Sequence, residues 1–122
     1  MTYYDIYLSA LAYIGEPEDS TGAADYKNRA ALLLPHIVAS LAHIHVLLGR
    51  KAVGDADACI ISLDSLFPLD LRLAGATTLE LASLLIIDEL PELSQILAQR
   101  AKDERLNASA QACSVGSTRE VY

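Results

Sequence analysis

Three histidines lie within one stretch of ten residues and are the first candidates for chemistry: His36, His43 and His45. Two metal ligands on one helix need a spacing of three or four residues, because only that spacing brings both imidazoles to one face. His36 and His43 are two turns apart, and His45 is rotated by about 160° from His43 around the helix axis. The spacing therefore predicts solvated or interface histidines, and we expect no metal site.

A group of acids at Asp88, Glu89 and Glu92 resembles paired carboxylates that could act in general acid–base catalysis. Acids before and within the first turn of a helix are explained more simply, since they complement the helix dipole and bind free N–H groups. The serines and aspartate at 62–65 lack the context of a nucleophile elbow, and the glycines form no phosphate-binding cluster. We expect no enzymatic activity and no cofactor.

The composition favours one helical domain. The chain has 122 residues, of which 52% are apolar, and Ala and Leu outnumber the β-branched residues. Its formal charge of −7 would repel a phosphate backbone, and the basic residues fall in small separate groups. The sequence therefore predicts an all-α domain that does not bind nucleic acid directly.

The cysteines and the apolar runs indicate the compartment. Cys59 and Cys113 are far apart and match no metal or redox spacing, which favours free thiols over a disulfide. No secretory leader pattern opens the chain, and polar residues interrupt the apolar runs before the ~20 residues that a membrane span needs. We expect a soluble intracellular protein that does not enter a membrane.

The pattern predicts a small four-helix bundle with a long connection between helices 2 and 3 and an extended C-terminal tail. Gly15 and Pro17 should end the first helix, and Gly49 should end the second. Pro35 predicts either a kink near Ala31 or a second helix that begins only at about residue 34. The seam of the second helix repeats every three or four residues, at Leu34, Ile37, Leu41, Ile44 and Leu48.

The second half of the chain encodes a helical hairpin. Pro68 and Asp70 should open the third helix, and Pro91 should open the fourth. The third helix carries apolar residues on two stripes, so it should be central or face a partner. We expect residues 1–106 to form the bundle and residues 107–122 to form a flexible tail.

Two regions suggest contacts with other molecules. The link at residues 49–66 is long for a helix-to-helix connection, and its apolar run could pair as a strand with another chain. The first helix carries more tyrosines than a small core can easily bury, and surplus tyrosine is typical either of an interface or of a half-buried helix. The candidate partner-binding residues are Tyr3, Tyr7, Ile60, Ile61, Leu63, Phe67, Arg119, Val121 and Tyr122.

The order and character of these segments resemble the helical head-to-tail connector proteins, also called head completion or adaptor proteins, of long-tailed bacteriophages and prophages. The resemblance covers most of residues 4–106. The segments that carry it are Ala12–Glu16, the second helix near Leu32–Leu48, Leu66–Leu69, Asp70–Ala74, Glu80–Leu85 and Asp88–Leu93, followed by the final helix.

This resemblance implies a subunit of a ring that joins the portal protein of the capsid to the tail. The implied partners are the portal protein, neighbouring copies of the chain and a further tail or head-closure protein, while DNA passes through the ring without specific binding. It implies a location in the virion neck or the bacterial cytoplasm, and a C-terminal segment that can reach into the portal. The alternative function is a small cytoplasmic helical regulator that binds one protein partner.

Overall fold

The computed structural model describes residues 1–19, 22–52 and 62–121, with side chains as far as Ala112. Its helices are α1 (Tyr3–Ile14), α2 (Ala23–Leu47), α3 (Ala74–Ile86) and α4 (Pro91–Val121), and a single 3₁₀ turn at Leu71–Leu73 leads into α3. The described residues form no β-sheet, only one isolated bridge between Thr2 and Leu66. The predicted all-α bundle is confirmed.

The start of α1 is held by its own cap and by the segment 63–67. Thr2 and Asp5 form a capping box, in which the Asp5 carboxylate accepts the Thr2 N–H at 2.8 Å. The Tyr3 and Tyr4 N–H groups donate to carbonyls within 63–65 at 3.0 and 2.8 Å. The connection thus supplies acceptors for N–H groups that a helix start leaves unpaired.

The core lies where α3 passes between the other helices. Nine of the thirteen residues of α3 are buried, so its doubly apolar pattern reflects a central helix. Of the predicted α2 seam, Leu48 is half-buried and the other four residues are buried in the core: Leu34, Ile37, Leu41 and Ile44. Most of the α3 surface is therefore covered by the chain itself.

The predicted helix ends are confirmed at Gly15, Gly49 and Pro91, whereas Pro68 lies before the 3₁₀ turn and opens no helix. Gly15 has φ 71° and Gly49 has φ 88°, left-handed conformations that follow the ends of α1 and α2. Pro91 is the first residue of α4, where the missing N–H costs no helical hydrogen bond. Asp70 caps the 3₁₀ turn by accepting the Arg72 N–H at 2.9 Å.

One of the two alternatives for α2 is excluded, and one predicted boundary, the end of α4, is wrong. α2 begins at Ala23 and continues through Pro35, so the start at about residue 34 is excluded, while the kink stays a prediction. The helix α4 does not end near Asn107, and the predicted extended tail is instead helical to Val121. Ala108 and Ala112 are buried. Alanine favours a helix, and its small side chain lets the helix pack closely against its neighbours.

Candidate protein interface

Four of the predicted partner-binding residues belong to the core, which corrects the interface interpretation for them. Tyr3 and Tyr7 are 2% and 1% exposed, and Leu63 and Phe67 are also buried. The Tyr7 hydroxyl donates to the Ala23 carbonyl at 2.9 Å, and the Tyr3 ring meets the Phe67 ring edge-on with centroids 6.2 Å apart. These aromatic residues fill the space between α1, α2 and the segment 63–67, so they are unavailable to a partner.

The remaining candidates cannot be placed as side chains. Ile60, Ile61 and Tyr122 lie outside the described residues, as does half of the link at 49–66, whose apolar run was expected to pair with another chain. Arg119 and Val121 lie in α4 by their backbone, and their side chains are outside the description. The proposed roles of these five residues stay predictions.

A groove that the sequence did not predict runs along the flank of the α3–α4 hairpin. It has a volume of about 470 Å³ and is lined by Glu80, Ser83, Leu84, Ala98, Ala101, Lys102, Arg105 and Leu106. Leu84 also borders a smaller apolar hollow formed with Arg29, Leu32 and Leu33 of α2. We call the lined surface on α3 and α4 the flank groove.

The floor of the flank groove is apolar, and its charged lining residues are two cations, Lys102 and Arg105, and one carboxylate, Glu80. Leu84 is half-buried, while Leu106 is 58% exposed. Lys102 is exposed, and no carboxylate in the described part of the chain lies within ion-pair distance of it. Arg105 is held in place, since its guanidinium donates to the Ser40 carbonyl of α2 at 2.6 Å. A partner with apolar and acidic groups would complement this surface.

The walls of the flank groove are fixed by hydrogen bonds between helices. The Ser83 hydroxyl donates to the Ser94 carbonyl at 2.8 Å, and the Ser94 hydroxyl donates to the Ser83 carbonyl at 2.9 Å. From α2, Arg29 donates to the carbonyls of Leu84 and Leu85 at 3.0 and 3.1 Å. These carbonyls lie in the last turn of α3, where a cation also complements the negative end of the helix dipole.

The turn between α3 and α4 carries exposed apolar and acidic groups. Ile87 and Leu90 are 49% and 52% exposed, and Asp88, Glu89 and Glu92 are exposed beside them. Backbone hydrogen bonds hold the turn, because the N–H groups of Glu89 and Leu90 both donate to the Ile86 carbonyl. We call residues 87–92 the acidic tip.

One acid of the tip has a structural partner. The Tyr26 hydroxyl donates to the Glu89 carboxylate at 2.6 Å. This hydrogen bond, together with desolvation, raises the pKa of Tyr26 to about 12, so the phenol stays protonated and keeps donating at neutral pH. Glu89 thus ties the tip to α2, whereas Asp88 and Glu92 stay exposed to solvent.

His45 is buried, which corrects the prediction of a solvated or interface residue, while His36 and His43 are exposed. Its Nδ1 accepts the Asp70 N–H at 2.8 Å, and its Nε2 lies 2.9 Å from the Lys51 carbonyl. The imidazole therefore links Lys51, near the start of the connection between α2 and α3, to Asp70, near its end. Because both ring nitrogens have partners, His45 acts as a structural bridge and has no nitrogen free for a ligand.

Beside it, the buried Asp70 carboxylate lies between two arginines. The carboxylate accepts from Arg72 at 2.9 Å and from Arg50 at 2.8 Å. Hydrogen bonds from Arg72 and then from Arg50 hold the pKa of Asp70 well below its usual range, against the opposing effect of burial. These contacts fix the entry to α3, from which the flank groove is built.

The helix α2 meets the length and composition expected of a membrane span, although polar residues interrupt its sequence. A core helix of a soluble bundle meets the same criteria. Nine residues of α2 are buried within the bundle, among them Tyr26, Leu34 and Leu41. The property by itself does not establish a membrane location.

Comparison with known proteins found no matching family model, no matching curated protein and no matching solved structure.

Proposed function

We propose that the chain is a structural protein of a bacteriophage or prophage, a subunit of the ring that joins the capsid portal to the tail. The order of its segments resembles the head-to-tail connector proteins. The observation that most supports a function through contact with other proteins is the flank groove, an apolar surface on a bundle whose core is already filled. A surface of this kind is typical of a protein that works by contact with other proteins.

Exposed apolar side chains extend beyond the groove. They occur on α1, α2, the 3₁₀ turn and α4, and include Tyr13, Leu32, Val46, Leu47, Leu71 and Ile96. Single exposed apolar residues are ordinary on any protein, but residues on several sides provide the contacts that a subunit with several neighbours needs. A ring subunit of the proposed kind touches two copies of itself, the portal and a tail-side protein.

The charge of the chain also suits a channel for DNA. At −7 the surface does not attract phosphate groups, so DNA could pass along it without being held. The proposed function therefore needs no DNA-binding site. It places the protein in the virion neck, or in the bacterial cytoplasm before assembly.

The test is to measure the mass of the full chain by light scattering and its shape by negative-stain imaging, alone and with the portal protein encoded by the same genome. We expect rings of the chain alone or rings seated on the portal. An unrelated acidic globular protein of similar size is the control for nonspecific adhesion. A monomer that ignores the portal would contradict the proposal.

The alternative function, a helical regulator, makes a different prediction in the same measurements. It predicts a defined complex with one cytoplasmic protein and no ring. Neighbouring genes that encode portal, capsid and tail proteins would favour the connector, and their absence would favour the regulator. The flank groove is compatible with both, so the oligomeric state is the deciding observation.

A further inference from the structure

We infer that the flank groove of one copy binds the acidic tip of another copy. The inference rests on the proposed function in that it names the surface by which copies of the chain join. The two surfaces are defined by different residues: the groove by Leu84, Lys102, Leu106 and their neighbours, the tip by residues 87–92.

The first support is chemical complementarity. The groove offers an apolar floor at Leu84 and Leu106, and two cations, Lys102 and Arg105, outnumber the one carboxylate of its lining, Glu80. The tip offers the half-exposed side chains of Ile87 and Leu90, with exposed carboxylates beside them. Apolar groups would thus meet apolar groups while opposite charges meet at the rim, the arrangement that specific interfaces show.

The second support is geometric. The tip is the turn of the α3–α4 hairpin, and the groove lies along the flank of that same hairpin. The Ser83 and Ser94 hydrogen bonds hold the two helices together, so the hairpin cannot bend its own tip onto its own flank. The tip can therefore fill a flank groove only in a second copy.

The third support is that both surfaces are already in a fixed conformation. The backbone of the tip is held by the Ile86 carbonyl, and Tyr26 ties it to α2. The groove is held by Arg29 and Arg105. Little conformational freedom is lost when preorganised surfaces meet, which favours association. Because the two surfaces differ, the contact is head-to-tail and can continue from copy to copy until a ring closes.

A charge exchange tests this contact with the full chain. The variants are Lys102→Glu in the groove and Glu92→Lys in the tip, each examined by sedimentation and light scattering at low salt. Each single variant should weaken self-association by about five- to tenfold, because a like-charge pair replaces an attractive one. The double variant, and an equimolar mixture of the two single variants, should recover association, since opposite charges then face each other again.

Lys51→Glu is the matched control, because it reverses an exposed lysine outside the groove and should leave self-association unchanged. Circular dichroism checks that all variants keep the helical content of the wild type. A double variant and a mixture that associate no better than the single variants would overturn the inference, and so would a wild type that stays monomeric at about 1 mM.

The possible failures distinguish the inference from the proposed function. A wild type that stays monomeric in solution but forms rings on the portal would overturn the groove-to-tip contact and leave the connector function standing. Self-association that responds to the charge exchange, with no binding to the portal, would support the contact and contradict the connector.

Discussion

The substitution Asp70→Asn should test how the entry to α3 is held. The Asp70 side chain is 2% exposed and accepts hydrogen bonds from the guanidinium groups of Arg50 and Arg72. It also caps the 3₁₀ turn through the Arg72 N–H, a contact that asparagine can keep. The substitution therefore removes mainly the charge from this cluster.

The size of the expected loss in the free energy of unfolding depends on how exposed the two arginine partners of Asp70 are. A hydrogen bond to a charged group contributes about 1.5–3 kcal/mol, and Asp70 accepts such bonds from two arginines. The side chains of Arg50 and Arg72 are 62% and 44% exposed, so water can replace part of what they lose. We expect Asp70→Asn to lower the free energy of unfolding by about 2–3 kcal/mol at neutral pH.

The same cluster predicts how this loss depends on pH. The pKa of Asp70 is lower in the folded protein than in the unfolded chain, where it is about 3.9. The stabilisation by its carboxylate is therefore fully present above that value and is lost progressively as the pH falls below it. The difference in stability between wild type and Asp70→Asn should be constant from about pH 7 to pH 5 and should shrink below about pH 4.

The assay is urea unfolding followed by far-UV circular dichroism at stepped pH values. Asp64→Asn is the matched control, because Asp64 is an exposed carboxylate in the same segment and should change stability by less than about 0.5 kcal/mol. A loss below about 0.5 kcal/mol for Asp70→Asn at pH 7, or a difference that does not shrink in acid, would show that the Asp70 carboxylate does not stabilise the entry to α3.

Three further predictions concern the helices, each checked by urea unfolding. Arg29→Met should lower the free energy of unfolding by about 1–2 kcal/mol, because two α3 carbonyls lose their donor. Arg29→Lys should restore less than half of that loss, since an ammonium lacks the planar fork of the guanidinium. Full recovery in Arg29→Lys would contradict the role of the two guanidinium hydrogen bonds. Gly15→Ala should lower the free energy of unfolding by about 1 kcal/mol, because Gly15 has a positive φ. Gly75→Ala within α3 should raise it by up to about 1 kcal/mol, because the added Cβ meets nothing nearer than 3.7 Å. Changes of the same sign in the two variants would contradict this prediction. Ser83→Ala should lower the free energy of unfolding by about 1–2 kcal/mol. Ser94→Ala should cost less in the Ser83→Ala background than in the wild type, because the two hydroxyls act as one unit. Strictly additive losses would exclude that coupling.

The sequence predicted the features that depend on local chemistry. Gly15, Asp70 and Pro91 act at helix ends through their own backbone and side-chain properties, so their roles could be predicted without knowing the rest of the fold. The core seam of α2 was predictable for a similar reason, because its spacing reports which side of the helix is apolar. These features were sufficient for the fold class.

The features that depend on distant neighbours were not predictable. Nothing near Tyr3 or His45 in the sequence indicates that Phe67 or the Asp70 N–H will meet them in the fold. The polar composition after Asn107 suggested a tail, but a helix that packs through small residues such as Ala108 needs little apolar surface. The flank groove was missed because its lining is shared between two helices, and the repeat pattern of either helix alone does not show it.

The proposed function is that of a ring subunit that joins a portal to a tail. The most direct measurement is negative-stain imaging of the purified chain mixed with the portal protein of the same genome, with the mass of the complex measured by light scattering. We expect a ring of chain copies stacked coaxially on the portal, with a mass that fits an integral number of copies. A chain that remains monomeric, with portal particles identical to those imaged alone, would contradict it.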